Sequence, residues 1–541
     1  MTTQPLLRLH RPRRLLAGMM VLGMASLSAP LALAETPADT LVIANSIDDL
    51  KTFDPGESFE WSGQDGINNM YQKLIGIDPE TKELVPGVAK DWSVADDGVT
   101  YTFTIDTGLK FASGNPVRPE DVVWSLRRAV KLDKTPSFIL TQFGFTPDNV
   151  DETITAPGDD TVQIVTDKPY APSFFYNALT AEIGSIVDEK TVMEHAEGED
   201  MGNAWLATHS AGSGPYTLRG WKPNESVLLE ANENWPGDLA MKRVFVRHVP
   251  EPATQRLLLE KGDVDVARNL TPEDISAIEG NDALKVVTEQ RGRIFYLAAN
   301  QLVEPLANVK VLQAIKYLID YKGMADTILK GQVAVHQTLL PAGFLGAIDD
   351  TPYELNVDKA KELLAEAGYP DGFEVELLVR NEKIRTDMAQ AIQATLGQAG
   401  IKANIRTATG SEVLSAFRGR KTELTLESWG PDYPDPNTNA SVFAANPDNS
   451  EEAQLTGNLS WRIAYPAEET TKMVEDAVVE KDTEKRKEMY AEIQRTNQEL
   501  SPFTYIFQLQ EQDGAAKGVD GFGMGGAVSS AFYWPVTKSA E

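Results

Sequence analysis

The chain contains no cysteine and only five histidines. The first absence excludes disulfides, thiolate nucleophiles, zinc–thiolate sites and iron–sulfur clusters. Four of the histidines, His195, His209, His248 and His336, lie beyond the N-terminal segment, none at metal-ligand spacing and none in an H-E-x-x-H. Basic residues are also scarce: 50 Lys and Arg face 80 Asp and Glu, for a formal charge of −30. That balance argues against a nucleic-acid binder, because phosphates must be neutralised by Lys and Arg. There is no P-loop, no calcium loop and no nucleophile elbow; Ser213 precedes Gly214, but position 211 is Ala211. A formal G-x-G-x-x-G at 521–526 lies close to the C-terminus with no helical pattern after it, and reads as a flexible turn. Paired carboxylates are common, but in so acidic a chain they signal solubility more than acid–base catalysis.

What is present is a long globular chain. Its 541 residues, 42% hydrophobic and 24% charged, suit two to four folded domains. The first 34 residues differ from the rest. Arg8, Arg11, Arg13 and Arg14 precede an apolar stretch from Leu15 to about Leu33 that ends in Ala32-Leu33-Ala34. This is the pattern of a cleaved signal peptide, 1–34, favoured over a membrane anchor by the small-x-small terminus. With no cysteine there is nothing to lipidate. Removing these four arginines, and no acid, leaves 46 basic against 80 acidic residues, a formal charge of −34. No later run approaches 18 apolar residues. The reading is an exported, soluble, acidic protein of a Gram-negative periplasm.

Strand and helix signals alternate along the remainder. Leu41 to Ala44 is a short buried-strand run, and Thr100 to Ile105 alternates polar with aromatic or branched apolar residues. Pro119-Glu120-Asp121 opens a helix, with proline in the first turn and acids at its positive end. Val227–Ala231 and 373–379 read as strands; 253–261, 309–318, 358–367 and 388–399 read as helices, several closed by glycine at 262, 368 and 400. Residues 468–499 read as one or two charged helices. The alternation predicts mixed α/β domains with largely parallel strand pairing.

One loop stands out: Trp429-Gly430-Pro431-Asp432-Tyr433-Pro434-Asp435-Pro436-Asn437, after the strand-like 423–427. Composition alone fits a proline-stiffened turn. It equally fits a rigid mouth with an aromatic wall, Trp429 and Tyr433, beside carboxylates, Asp432 and Asp435, suited to an ammonium group.

Ordered blocks then carry a resemblance. Thr52-Phe53-Asp54-Pro55, Leu84-Val85-Pro86-Gly87, Ala89-Lys90-Asp91-Trp92, Asp97 to Phe103, Gly108-Leu109-Lys110-Phe111, Gly114-Asn115-Pro116 and Glu120 to Ser125 succeed one another. Gly212-Ser213-Gly214-Pro215-Tyr216, Asn300 with Pro305, Ala314 to Asp320, and Ala367 to Phe373 follow. Together they resemble the periplasmic dipeptide- and oligopeptide-binding proteins of ABC importers, the extracellular solute-binding proteins of family 5.

The resemblance implies an α/β periplasmic-binding fold with two lobes around a hinge and an extra inserted domain. It places domain I at 35–76, 207–300 and 507–541, domain II at 77–206 and domain III at 301–506. It implies a non-enzymatic, monomeric receptor for short peptides or peptide-like amines, without a cofactor, delivering to an inner-membrane permease. Asp432 would meet the ligand ammonium with Trp429 beside it, Tyr433 would wall the pocket, and Phe59-Glu60-Trp61 would run extended alongside the ligand. The family arginine three residues before the tryptophan is Leu426 here, so Arg418, Arg420, Arg380 and Arg385 remain as possible carboxylate partners. A non-peptide ligand (opine, sugar or metal chelate) stays open as an alternative, and a hydrolase using Asp432 and Asp435 as paired acids is the rival from another class.

Overall fold

The structure is a computed structural model describing residues 36–523 and 531–539; the signal segment and part of the 521–526 glycine run lie outside them. Among the described residues no helix is long and apolar enough to cross a membrane.

Local chemistry explains most elements. Strand Thr40–Asn45 is buried along its whole length, as expected for an apolar run at the centre of a sheet. Strand Thr100–Ile105 turns Tyr101, Phe103 and Ile105 inward and its threonines outward. Helix Pro119–Leu132 begins with Pro119, and Asp121 accepts from the backbone N–H of Arg118 at 3.0 Å. The acidic stretch near the C-terminus is two helices, Glu468–Val479 and Thr483–Leu500, divided where Asp482 caps the second by accepting from the Lys485 backbone N–H at 2.9 Å.

Eleven described strands form one sheet. From one edge it runs Lys402–Ala408, Glu374–Arg380, Leu424–Trp429, Leu284–Ala299, Phe503–Ala516, Val266–Ala267, Thr40–Asn45, Arg243–His248, Ser226–Ala231 and Tyr216–Lys222, with Val333–Val335 also on Phe503–Ala516. The expectation of largely parallel pairing is corrected. Parallel pairs occur at two places, Thr40–Asn45 with its two neighbours and Glu374–Arg380 with its two. The remaining pairs are antiparallel, as is the whole four-stranded sheet of Ala89–Val94, Thr100–Ile105, Thr161–Val165 and Ile154–Gly158. The cause is the pair Leu284–Ala299 and Phe503–Ala516, two long strands that cross the middle of the sheet in opposite directions.

That ladder is interrupted. Gln290 pairs with Gln510 and Ile294 with Gln508, so residues 291–293 face a single residue of the partner strand. Separate hydrophobic cores lie around it. One gathers residues between Leu74 and Ile186, a second spans Phe295 to Phe507, and a third joins Leu41 to Tyr71 with Val187 to Val266 and Ala515 to Val536.

Two contacts fasten the third core. Gly214 donates its backbone N–H to Met70 O at 3.0 Å, and a Cβ at Gly214 would lie 2.5 Å from the Met70 carbonyl carbon, which is why the Gly212–Gly214 turn needs no side chain there. Lys538 Nζ donates to Thr36 Oγ1 at 2.7 Å and to Thr40 O at 3.0 Å, and pairs with Asp265 at 2.8 Å.

Candidate functional site

Strand Leu424–Trp429 delivers the loop that follows it to the junction of the first and second cores. What holds the loop is Asp435. Its carboxylate, fully buried, receives both Nη atoms of Arg486 at 2.8 Å, and Arg486 also donates to Ser173 Oγ at 3.1 Å. Asp435 is therefore a tether, and the idea of Asp432 and Asp435 as paired acids loses one of its acids to an ion pair. Tyr433, expected as a pocket wall, lines a cavity with Tyr71, Glu182 and Trp534 and is an anchor as well. It is buried in the first core, its ring 6.0 Å from that of Phe174 and its hydroxyl donating to Gln142 Oε1 at 3.1 Å.

Asp432 immediately precedes Tyr433 and lies three residues before Asp435, with no cation within 4.0 Å among the described residues. Its backbone N–H donates to Thr438 Oγ1 at 3.1 Å. Burial, and then the facing carboxylate of Glu182, push its pKa up to about 7, while the Thr438 hydroxyl pulls the other way. Glu182 accepts from Asn68 Nδ2 at 2.7 Å, and Lys73 reaches Asn68 from the far side. Two neighbouring acids, neither with a cation within 4.0 Å among the described residues, form an anionic spot suited to an ammonium group, although Glu182 also acts on the charge of buried Lys73.

Trp429 and Gly430 open onto a cavity of about 440 Å³ between helix Trp61–Met70 and the second core. The Trp429 indole N–H is buried there with no acceptor among the described residues. Phe59 and Trp61 line the opposite wall, and the Trp61 ring lies so close that a Cβ on Gly430 would be 3.0 Å from it. The expected extended segment ends early: Glu60 is extended, but Trp61 begins the helix, and the Glu60 carbonyl accepts from Gly63 and Gln64. The Glu60 side chain pairs with Lys51 at 2.7 Å and does not line the cavity.

Of the arginines singled out from sequence, Arg380, Arg385 and Arg418 line this cavity. Arg420 does not. It stacks on Trp461 at 4.0 Å and donates to the Trp461 carbonyl at 2.7 Å and to Asn449. Sequence reasoning missed Arg293 and Arg462, which also line the cavity. Arg293 stands in the 291–293 interruption and stacks on Trp61 at 4.2 Å. Nothing local marks either residue, since the five arginines come from five separate elements.

An interrupted strand ladder thus runs between separate cores with a polar cavity beside it. The family model of bacterial extracellular solute-binding proteins, family 5 (Middle), matches residues 83–451. The chain belongs to this family. It is 28% identical over 501 residues to the probable D,D-dipeptide-binding periplasmic protein DdpA of Escherichia coli K12, covering 91% of this chain and 93% of that one. It is 26% identical over 433 residues to heme-binding protein A of Haemophilus influenzae, covering 74% and 76%. Among solved structures, the periplasmic binding protein DppA of Helicobacter pylori in complex with peptide STSA superposes with a TM-score of 0.77 at 22% identity, over 93% of this chain and 98% of that one.

Proposed function

We propose that the protein is a periplasmic receptor of an ABC importer that captures short peptides, or peptide-like amines, and hands them to an inner-membrane permease. It acts by binding alone, as a monomer. The observation that carries the reading is Asp432, a carboxylate held at the cleft without a cation and two residues past the wall of a cavity lined by arginines. An α-ammonium fits the first and an α-carboxylate the second, so the site is complementary to a zwitterion. The likeness to the probable D,D-dipeptide-binding protein of Escherichia coli supports the same class of ligand. In this reading residues 35–76, 207–300 and 507–541 form domain I, 77–206 domain II and 301–506 domain III, a division supported by the separate cores. Trp429, Phe59 and Trp61 hold the ligand between the lobes, and the chain reaches the periplasm by removal of residues 1–34.

Native mass spectrometry of protein purified without refolding tests this. A set of retained masses matching di- to pentapeptides is the expected result; a single non-peptide mass would overturn the substrate class. Calorimetric titration of ligand-stripped Asp432→Ala with a bound peptide should show a loss of about 2–5 kcal/mol, the cost of leaving a desolvated charge unpaired. Unchanged affinity would remove Asp432 from the site.

A further inference from the structure

The cavity beside Trp429 is strongly cationic in a strongly acidic chain. Arg293, Arg380, Arg385, Arg418 and Arg462 line it against only two carboxylates, Glu382 and Glu427, a net formal charge of +3 where the whole chain carries −30. The two acids are already engaged. Glu427 pairs with Arg380 at 2.9 Å, and Glu382 pairs with Arg385 at 2.8 Å. Arg385 also reaches Ser428 Oγ at 2.8 Å.

The other three have no carboxylate within 4.0 Å among the described residues. Arg462 donates to the Thr456 carbonyl at 2.7 Å and lies over Phe417 at 5.2 Å, while Arg293 has the face of Trp61. Burial first, and then Arg385, oppose the charge on Arg293, only partly offset by Glu511 and Glu382; burial and Arg418 oppose that on Arg462, only partly offset by Tyr296 and Glu427. Gathering like charges in a part-buried cavity costs free energy unless an anion completes it. One α-carboxylate would neutralise one of three.

Resting on the reading of an amine anchored at Asp432, we infer that the preferred ligand is an amino compound bearing two or more carboxylates, such as a peptide ending in an acidic residue. The side chain of that residue would lie among Arg293, Arg418 and Arg462. The preference is one of charge and not of shape, since Glu and Gln differ little in volume.

The test is calorimetric titration of ligand-stripped full-length mature protein with Ala-Glu and Ala-Gln. Ala-Glu should bind about tenfold or more tightly than Ala-Gln, in line with close charge pairs at interfaces. The ratio should fall toward one in Arg293→Gln/Arg418→Gln and shrink in high salt. Equal affinities in the unaltered protein overturn the inference. Asp432→Asn should weaken both peptides alike and leave their ratio intact. A retained ratio with no effect of Asp432→Asn sinks the amine anchor and leaves the acidic preference standing. If neither dipeptide binds, citrate serves as the probe. A rise in melting temperature with citrate that disappears in the double arginine variant upholds the inference, and no rise overturns it.

Discussion

The protonation of Asp432 makes ligand capture pH-dependent in a direction fixed by the structure. In the empty site its pKa stands near 7, raised first by burial and then by Glu182. Only the carboxylate form pairs with an ammonium, so below that value binding must first expel a proton. Apparent affinity should fall about tenfold per pH unit, reaching about 100-fold, or about 2.7 kcal/mol, at pH 5. The ligand's own α-amino group is about half deprotonated by roughly pH 8, so affinity peaks between about 7 and 8.

Titration calorimetry from pH 5 to 8, in buffers of different ionisation heat, reads both the affinity and the proton released, about half a proton at pH 7. Glu182→Gln should move the acid limb to lower pH by removing the like charge, and Asp432→Asn should abolish it. Stability runs the opposite way. A carboxyl whose folded pKa lies above its unfolded value binds more protons when folded, so the empty protein gains stability as pH falls from about 7 toward 4. Asp432→Asn should therefore stabilise the empty protein at pH 8, by about 1–3 kcal/mol given its partial exposure. An affinity that stays flat from pH 5 to 7 would refute the argument, as would an acid limb that survives in Asp432→Asn.

Asp435→Asn leaves the Arg486 guanidinium buried without its carboxylate and should cost about 3–5 kcal/mol in urea unfolding, whereas an ordinary surface change would cost almost nothing. Gly214→Ala drives a methyl against Met70 backbone atoms, at 2.5 and 2.7 Å, that cannot move aside. A loss of about 3 kcal/mol or more is expected in thermal melts followed by circular dichroism, and an unshifted melting temperature would contradict the packing described.

Where periodicity and caps carry the signal, sequence and structure agree closely. Thr100–Ile105 alternates as read, and the left-handed caps predicted at Gly262 and Gly368 have φ of +73° and +91°. The long strands Leu284–Ala299 and Phe503–Ala516 were not legible, because Arg291-Gly292-Arg293 and Glu511-Gln512-Asp513 interrupt their apolar character. Those polar stretches meet one another: Arg291 pairs with Glu511 at 2.7 Å, and Arg268 bridges Asp65 and Glu511. Missing these strands led to the parallel expectation. In the site, Asp432 and Asp435 look alike in sequence. Only Arg486, 51 residues away, makes one a tether and leaves the other open. The anchoring role of Tyr433 was hidden for the same reason, since an aromatic ring's packing partners are distant in sequence, here Gln142 and Phe174.

The clasp made by Lys538 has a topological consequence. By tying residue 538 to Thr36, Thr40 and Asp265, it brings the two ends of the described chain to the same corner of the third core. The polypeptide is thus nearly a ring, and the order in which its pieces are written is not what the sheet stores. A circular permutant joining 538 to 36 through a short linker, with its new ends at an exposed turn such as Gly198, would retain every strand pair described here.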